Sequence, residues 1–369
     1  MHSLGTGLHG GILKYDRPRG AKSAGEMALQ AFAYRKQLPH VQILCINIRY
    51  KCIIISVDAG FVILHACYGD TFTMSTQPIE ISDIIAAIPA VTAALAATQA
   101  TFLMCPPKLY DVNYVINPWM QGNIHASSQA RAAEQWQRLY EAVSAIADVE
   151  LIEPQPGSPD MVFTANAGLE RNGTVVISSF FHPERQDEEP HFRRWFRKAG
   201  YTILDTPRAT PFEGEGDALF STDGTRLWAG YGPRSLITSH QALREAWNIE
   251  VTPLHLMDPR FYHLDTCFAP LEGGYAMYFP EAFDRASIER IEAFYPPEKR
   301  IIVAAEDALR FACNAVNVGR TIVLNQISSV LTAELESRGF KVIQVALSEF
   351  LKAGGAAKCL VMKLSPPIN

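Results

Sequence analysis

The stretch SIERIEAFYPPEKRIIVAAED (residues 287–307) joins a helix-like pattern to a short apolar run, and the same join recurs from residue 101 onward. It appears as SSQARAAEQWQRLYEAVSAIADVELIEP (127–154), HFRRWFRKAGYTILDTP (191–207), HQALREAWNIEVTPLHLMD (240–258) and SSVLTAELESRGFKVIQVAL (328–347). The post-helical strands are expected to begin near Val149, Tyr201, Glu250, Arg300 and Phe340, at separations of 52, 49, 50 and 40 residues. Between them lie glycine-marked strand signals: RNGTVVIS, TDGTRLWAG, LEGGYAMYFP and NVGRTIVLN. Trp136, Leu139, Val143 and Ile146 fall at three- and four-residue spacing, on one helix face. Gly200 and Gly339 stand where a helix C-cap is needed. A strand–helix unit of this size cannot bury its own apolar face, so five repeats should close on one another. The expected fold class is α/β, a fivefold pseudosymmetric α/β propeller with helices outside and equivalent loops meeting at the axis.

The whole chain has 369 residues, is 48% apolar and 19% charged, and carries a formal net charge of −5. These values suit a folded globular protein. The first 100 residues hold 8 Lys+Arg and 6 Asp+Glu, leaving 25 and 32 for the remainder. That acidic remainder has no basic tract, so no nucleic-acid partner is expected and a small cationic substrate is favoured. The seven cysteines are odd in number and contain no C-x-x-C pair. That argues against a disulfide scaffold and for a reducing, cytoplasmic setting. The N-terminus carries no signal-peptide pattern. The uncharged run 84–107 is long enough to span a membrane but only weakly hydrophobic, so no membrane partner is expected.

Residues 1–100 differ from the rest and are taken as an N-terminal extension, with 101–369 as the main domain. They combine Gly-rich turns, a helix-compatible patch near Ala24–Gln37, and the β-rich runs VQILCINI and CIIISVDAGFVILHACYG. An accessory β-domain, a disordered leader and sequence upstream of the natural start all fit. His9, Cys45, Cys52, His65 and Cys67 fall in no catalytic turn signature, and the segment is assigned no function.

In the repeat region, the loop after each post-helical strand carries polar groups. They are Asp160 and Asn166 in the first loop and Glu213, Glu215 and Asp217 in the second. His263 and Asp265 follow in the third, Asn314 and Asn317 in the fourth, and Cys359 in the last. Convergence would join Cys359 as nucleophile, His263 as general acid and base, and Glu213 as the group holding the ring. Asn166, Asp160, Glu215, Asp217 and Asp265 can grip a planar cation by paired hydrogen bonds. So many acids repel a thiolate, which makes chemical sense if the substrate brings its own positive charge. A guanidinium fits best, since its central carbon is also an electrophile. Taken singly these signals are weak. An HxD pair is common, EGEGD lacks the ligand alternation of a known Ca²⁺ loop, and Cys267 and Cys313 are alternative nucleophiles inside apolar runs. No metal is expected, and within residues 101–369 no GxGxxG, GxSxG, P-loop or HExxH occurs.

The blocks CPPKLYDVNYVINPWMQGN, PDMVFTANAG, FEGEGDALF, GYGPRS, YHLDTCF and GGAAKC occur in that order. They resemble the guanidino-group-modifying enzymes, the pentein superfamily of deiminases, dimethylarginine hydrolases and amidinotransferases. The nearest likeness is to the arginine dihydrolase group known from cyanobacteria. The resemblance covers about residues 101–369, whereas residues 1–100 have no counterpart. It implies a pentein fold, Cys359 as nucleophile, His263 as acid/base and Glu213 as its carboxylate. It also implies Asp265 on the guanidinium nitrogens, Arg234 on the substrate α-carboxylate and Asn117 at the amino-acid end. Most relatives carry FEGGD or a shorter form; the longer EGEGD leaves Glu213 and Glu215 interchangeable. Deiminases have aspartate where this chain has Asn166, and an amide can hydrogen-bond the neutral ureido oxygen of citrulline. The implied reaction is arginine dihydrolysis to ornithine, two ammonia and CO₂, with no cofactor. Alternatives are a single-step arginine deiminase or dimethylarginine hydrolase, and, in another class, a noncatalytic propeller binding module. The expected partner is a small guanidino substrate, and a homo-oligomer is left open.

Overall fold

A computed structural model describes residues 42–48, 51–58, 61–68, 71–74 and 100–365. The backbone contacts divide the chain at Ala94/Leu95 into two units. In the first, β1 (Gln42–Ile48), β2 (Lys51–Asp58), β3 (Phe61–Tyr68) and β4 (Thr71–Met74) form an antiparallel sheet in sequence order. The two β-rich runs thus supply its first three strands. His9 and the patch at 24–37 lie outside the described residues.

The described residues of the second unit form five three-stranded sheets, each with one antiparallel and one parallel pairing. The first sheet contains β5 (Thr101–Met104) and β6 (Asp148–Leu151). The second is β7 (Gly168–Arg171), β8 (Thr174–Ile177) and β9 (Thr202–Asp205). The third is β10 (Ala218–Phe220), β11 (Arg226–Tyr231) and β12 (Glu250–His255). The fourth is β13 (Phe268–Leu271), β14 (Tyr275–Tyr278) and β15 (Arg300–Ile302). The fifth is β16 (Val316–Val318), β17 (Thr321–Leu324) and β18 (Lys341–Gln344). Within each of the last four modules a hairpin leads into a helix, and the helix into a parallel strand, as the recurrence predicted.

The first module is assembled differently. Its antiparallel strand is β19 (Met362–Leu364), paired Met362 to Leu103 and Leu364 to Thr101. The two ends of the repeat region thus share one sheet, which closes the fivefold α/β propeller. Linear reading did not show this join, because strands of three and four residues some 260 apart carry no local signal.

The middle strands β5, β8, β14 and β17 are buried over their last three residues. A strand covered on both faces reads as a continuous apolar run rather than an alternation. The helices bury one face each: Trp136, Leu139 and Val143 on Gln129–Ser144, Phe192 and Phe196 on Glu189–Lys198, and Leu331 and Leu335 on Ser329–Ser337. Ser128, Asp284 and Ser328 cap helix N-termini by accepting from the backbone N–H three residues on. Gly200 (φ +90°) and Gly339 (φ +81°) take the left-handed conformation expected of helix ends. Among the described residues no helix is long and apolar enough to cross a membrane.

Candidate active site

Three of the axial loops use the same local device, a single 3₁₀ turn immediately before the module's first strand. The turns are Thr164–Ala167, Gly214–Gly216 and Leu264–Thr266, so corresponding positions recur every 50 residues. Asn166 lies in the first, Glu213 and His263 are the N-caps of the second and third, and Asp265 lies in the third. The loops are also bonded to one another. Ala165 N–H donates to Cys359 O (3.1 Å), and Lys358 N–H to Asn314 O (3.3 Å). Gly216 is required by packing, because a Cβ there would sit 2.3 Å from Asn166 Nδ2 and 3.3 Å from the His263 ring.

Cys359 and His263 line one buried cleft with Asn166, Asp160, Arg185, Arg234, Asn117 and Tyr262. Its free volume is about 10 Å³, room for roughly one water. Asn117 Nδ2 donates to Ala353 O (3.0 Å), and Tyr262 OH to Gly354 O (2.6 Å), which staples two segments across the cleft. Gly354 has φ +82°, and a Cβ on it would lie 2.7 Å from Tyr262 OH.

His263 is held between carboxylates. Its Nε2 is 3.4 Å from Glu213 Oε2, and its Nδ1 is 3.1 Å from Asp217 Oδ2, off the line of a good hydrogen bond. Glu213 is fully buried and also pairs with Arg234 Nη1 (3.0 Å). Burial alone would raise its carboxyl, but Arg234, His263 and Arg185 outweigh burial and hold it below the ordinary value. Asp217 accepts from Ser235 Oγ (2.6 Å) and Leu264 N–H (3.2 Å). Glu215 pairs with Lys358 Nζ (2.6 Å) and accepts from Lys363 N–H (2.9 Å). Neither Glu215 nor Asp217 lines the cleft, because ion pairs and hydrogen bonds behind it already engage their carboxylates. The interchangeability of Glu213 and Glu215 ends there: Glu213 faces the histidine, and Glu215 faces a lysine.

Around Cys359, Asn314 makes a two-pronged contact. Its Nδ2 donates to Sγ (3.0 Å), and its Oδ1 accepts from Cys359 N–H (3.0 Å). Asp265 Oδ2 lies 3.5 Å from Sγ. Burial first, and Asp265 second, push the thiol up from its ordinary value, while the Asn314 amide lowers it. Burial likewise pushes Asp265 up to about 6, against the pull of His263 and Lys358. Asp265→Asn should therefore shift the pH profile of Cys359 alkylation by iodoacetamide to lower pH, since an amide does not repel a thiolate. An unchanged profile would remove Asp265 from control of the thiol. The same change bears on stability. A carboxyl raised in the fold contributes stability that is complete below its unfolded pKa and is lost as pH rises through the folded one. The variant should thus lose the part of the stability decline that falls between pH values of about 4 and 6.

Arg234 keeps a second N–H on Ile116 O (3.0 Å) and lies 4.6 Å over the Tyr262 ring. Asn117 caps the turn Pro118–Met120. Arg185 has no forerunner in the sequence reading. It donates twice to Glu188 (2.8 Å each), once to Asn166 Oδ1 (2.9 Å) and once to Asp160 O (3.1 Å). HPERQDEEP reads as a solvated charge run, yet Arg185 and Glu188 are both buried. The i,i+3 pairing of opposite charges was the one available signal. Asp160 accepts from Tyr114 OH (2.9 Å) through Oδ2, while its buried Oδ1 has no hydrogen-bond partner and it lines the cleft. Burial raises its carboxyl. An unpaired buried carboxylate oxygen is costly unless an incoming donor completes it.

The profile of the N,N dimethylarginine dimethylhydrolase (eukaryotic) family matches residues 112–365. The chain is 56% identical over 272 residues to the bifunctional arginine dihydrolase/ornithine cyclodeaminase ArgZ of Synechocystis sp., covering 74% of this chain and 39% of that protein. It is 38% identical over 266 residues to the N(G),N(G)-dimethylarginine dimethylaminohydrolase of Mycobacterium tuberculosis, covering 72% and 86%. Among solved structures, the N-terminal domain of ArgZ, as a cysteine-to-serine mutant bound to substrate, superposes with a TM-score of 0.72 at 55% identity. That match covers 73% of this chain and all of the solved domain. The chain spans about two fifths of the length of the first curated relatives it matches. Five closed modules with a cysteine, a histidine and carboxylates at their axis, together with these matches, place the chain in the dimethylarginine dimethylaminohydrolase-like family of the pentein superfamily.

Proposed function

We propose that this chain is a cysteine-dependent hydrolase of the arginine guanidinium group, an arginine dihydrolase giving ornithine, two ammonia and CO₂. The observation that carries the reading is the cleft itself. Cys359, His263, Asn166 and the unpaired carboxylate oxygen of Asp160 meet in one buried space. Relatives whose names carry arginine dihydrolase activity match at 55% and 56% identity. Burial and Asp265 raise the thiol, so binding of a guanidinium would supply the positive charge that favours the thiolate.

In this mechanism the Cys359 thiolate attacks the guanidinium carbon. The thiol proton passes through His263 to the departing nitrogen, which leaves as ammonia, and a covalent amidino-thioether remains. His263, its ring held by Glu213 and Asp217, then takes a proton from water, whose oxygen adds to the same carbon. The C–S bond breaks to give citrulline. A second attack on bound citrulline expels the second ammonia, and hydrolysis of the resulting carbamoyl-thioether releases ornithine and CO₂. Arg234 and Asn117 would hold the amino-acid end. A reducing cytoplasmic setting would keep Cys359 a thiol, and the four cysteines of the described residues 100–365 are all free.

The choice of dihydrolase over deiminase rests on Asn166. Arg185 claims its Oδ1, which leaves Nδ2 as the donor end, with one N–H on Glu213 O (3.1 Å) and the other toward His263 Nε2 (3.4 Å). That donor suits the ureido oxygen of retained citrulline. Incubation with L-arginine should yield ornithine with two ammonia per substrate; citrulline with one ammonia would overturn the dihydrolase reading. Asn166→Asp should raise the released citrulline fraction about tenfold, as expected for loss of one such hydrogen bond at about 1.4 kcal/mol. An unchanged product ratio would remove Asn166 from product choice.

A further inference from the structure

A second cavity, of about 310 Å³, lies in the same unit and is larger than the cleft. The first strands of all five modules, β7, β10, β13, β16 and β19, contribute to its walls, so it lies on the propeller axis. Glu215, Lys358 and Asp265 line it as well. The Asp265 carboxylate that lines this cavity also lies 3.5 Å from Cys359 Sγ. A single side chain and the Glu215–Lys358 pair therefore separate the reacting sulfur from a space distinct from the substrate cleft.

We propose that this axial cavity is a separate passage for ammonia and water, with the Glu215–Lys358 pair and Asp265 as its inner partition. The inference rests on the hydrolase reading above. Arginine and one water give citrulline and ammonia; citrulline and a second water give ornithine, CO₂ and ammonia. Between the rounds one ammonia must leave and one water must enter while the amino acid stays. The cleft has room for about one water and is stapled by Asn117 and Tyr262 to the 353–354 segment. Opening that side would release citrulline with the ammonia. The axial cavity offers small neutral molecules a polar-floored route that leaves the staple shut.

The passage can be plugged without touching the cleft. Ala269 on β13 and Leu219 on β10 line the cavity, and neither lines the cleft. Ala269→Phe and Leu219→Trp, on different strands, guard against one failing to fold, and Ala269→Ser is the control. In single-turnover experiments with L-arginine, free ammonia should precede the free amino acid in the native chain and in Ala269→Ser. In folded plug variants the two should emerge together, with turnover reduced at least about threefold, as when release becomes limiting, and a larger citrulline share. Co-release in the native chain, or native order in a folded plug variant, would overturn the passage. The order test holds whether the product is ornithine or citrulline, so native citrulline released behind ammonia would defeat the dihydrolase reading and leave the passage supported. Absence of any arginine turnover would defeat both.

Discussion

Cys359→Ser should reduce arginine turnover by at least about 10³-fold while leaving the melting temperature nearly unchanged. A hydroxyl is far less acidic than a thiol, and burial with Asp265 already pushes the Cys359 thiol up. Even a bound cation would not then bring serine to a reactive anion at neutral pH. The structural cost is small, since serine can still accept from Asn314 Nδ2 and donate toward Asp265, the two partners of Sγ. Retention of more than about a tenth of native activity would move the nucleophile elsewhere. Cys313 lines the axial cavity, and Cys267 points its sulfur at the carbonyls of His263 and Leu264. Neither lines the cleft, so neither is placed to substitute.

Arg185→Met should destabilise the repeat domain by about 3–5 kcal/mol, the usual cost of removing one partner of a buried ion pair. For a domain of this size that is a fall of roughly 6–20 °C in melting temperature. Glu188 and Asn166 Oδ1 lose their donors, and both side chains are buried. Burial already pushes Glu188 up to about 7 from an ordinary value of 4.5, even with Arg185 opposing it. Without the guanidinium its folded pKa moves further up. A carboxyl raised in the fold contributes stability that is lost as pH rises through the folded pKa. The deficit relative to the native chain should therefore be larger at pH 8 than at pH 5. Differential scanning calorimetry at both values, with Glu188→Gln alongside, checks this. A loss that does not vary with pH would mean that Glu188 is not left as an uncompensated charge.

The repeat architecture was legible because it is written in local patterns. Helical spacing at Trp136, Leu139, Val143 and Ile146, the C-cap glycines Gly200 and Gly339, and a strand after each helix are features of ten or twenty neighbouring residues. Five copies of such a pattern made closure the only way to bury the exposed faces. That placed Asn166, Glu213, His263 and Cys359 on loops that meet, and the structure gathers those loops at the axis.

Other features depended on contacts between distant residues. The pairing of β19 with β5 joins two very short strands from opposite ends of the repeat region, and only the closed ring brings them together. The division of labour in EGEGD is set by a 3₁₀ turn. With three residues per turn, side chains two positions apart diverge, so Glu213 faces His263 while Glu215 faces Lys358. Arg185 and Glu188 read as solvent-facing charges because the one-turn helix Pro183–Gln186 and the N-cap position at Glu188 are too short to show a buried face in the sequence. Their burial follows from the neighbouring loops that pack over them. The sequence by itself determined the fivefold repeat and the residue types on its axial loops, since both are local. Tertiary structure alone decided which carboxylates face the cleft, what shields the buried arginine, and how the ring closes, because each depends on groups far apart in the chain.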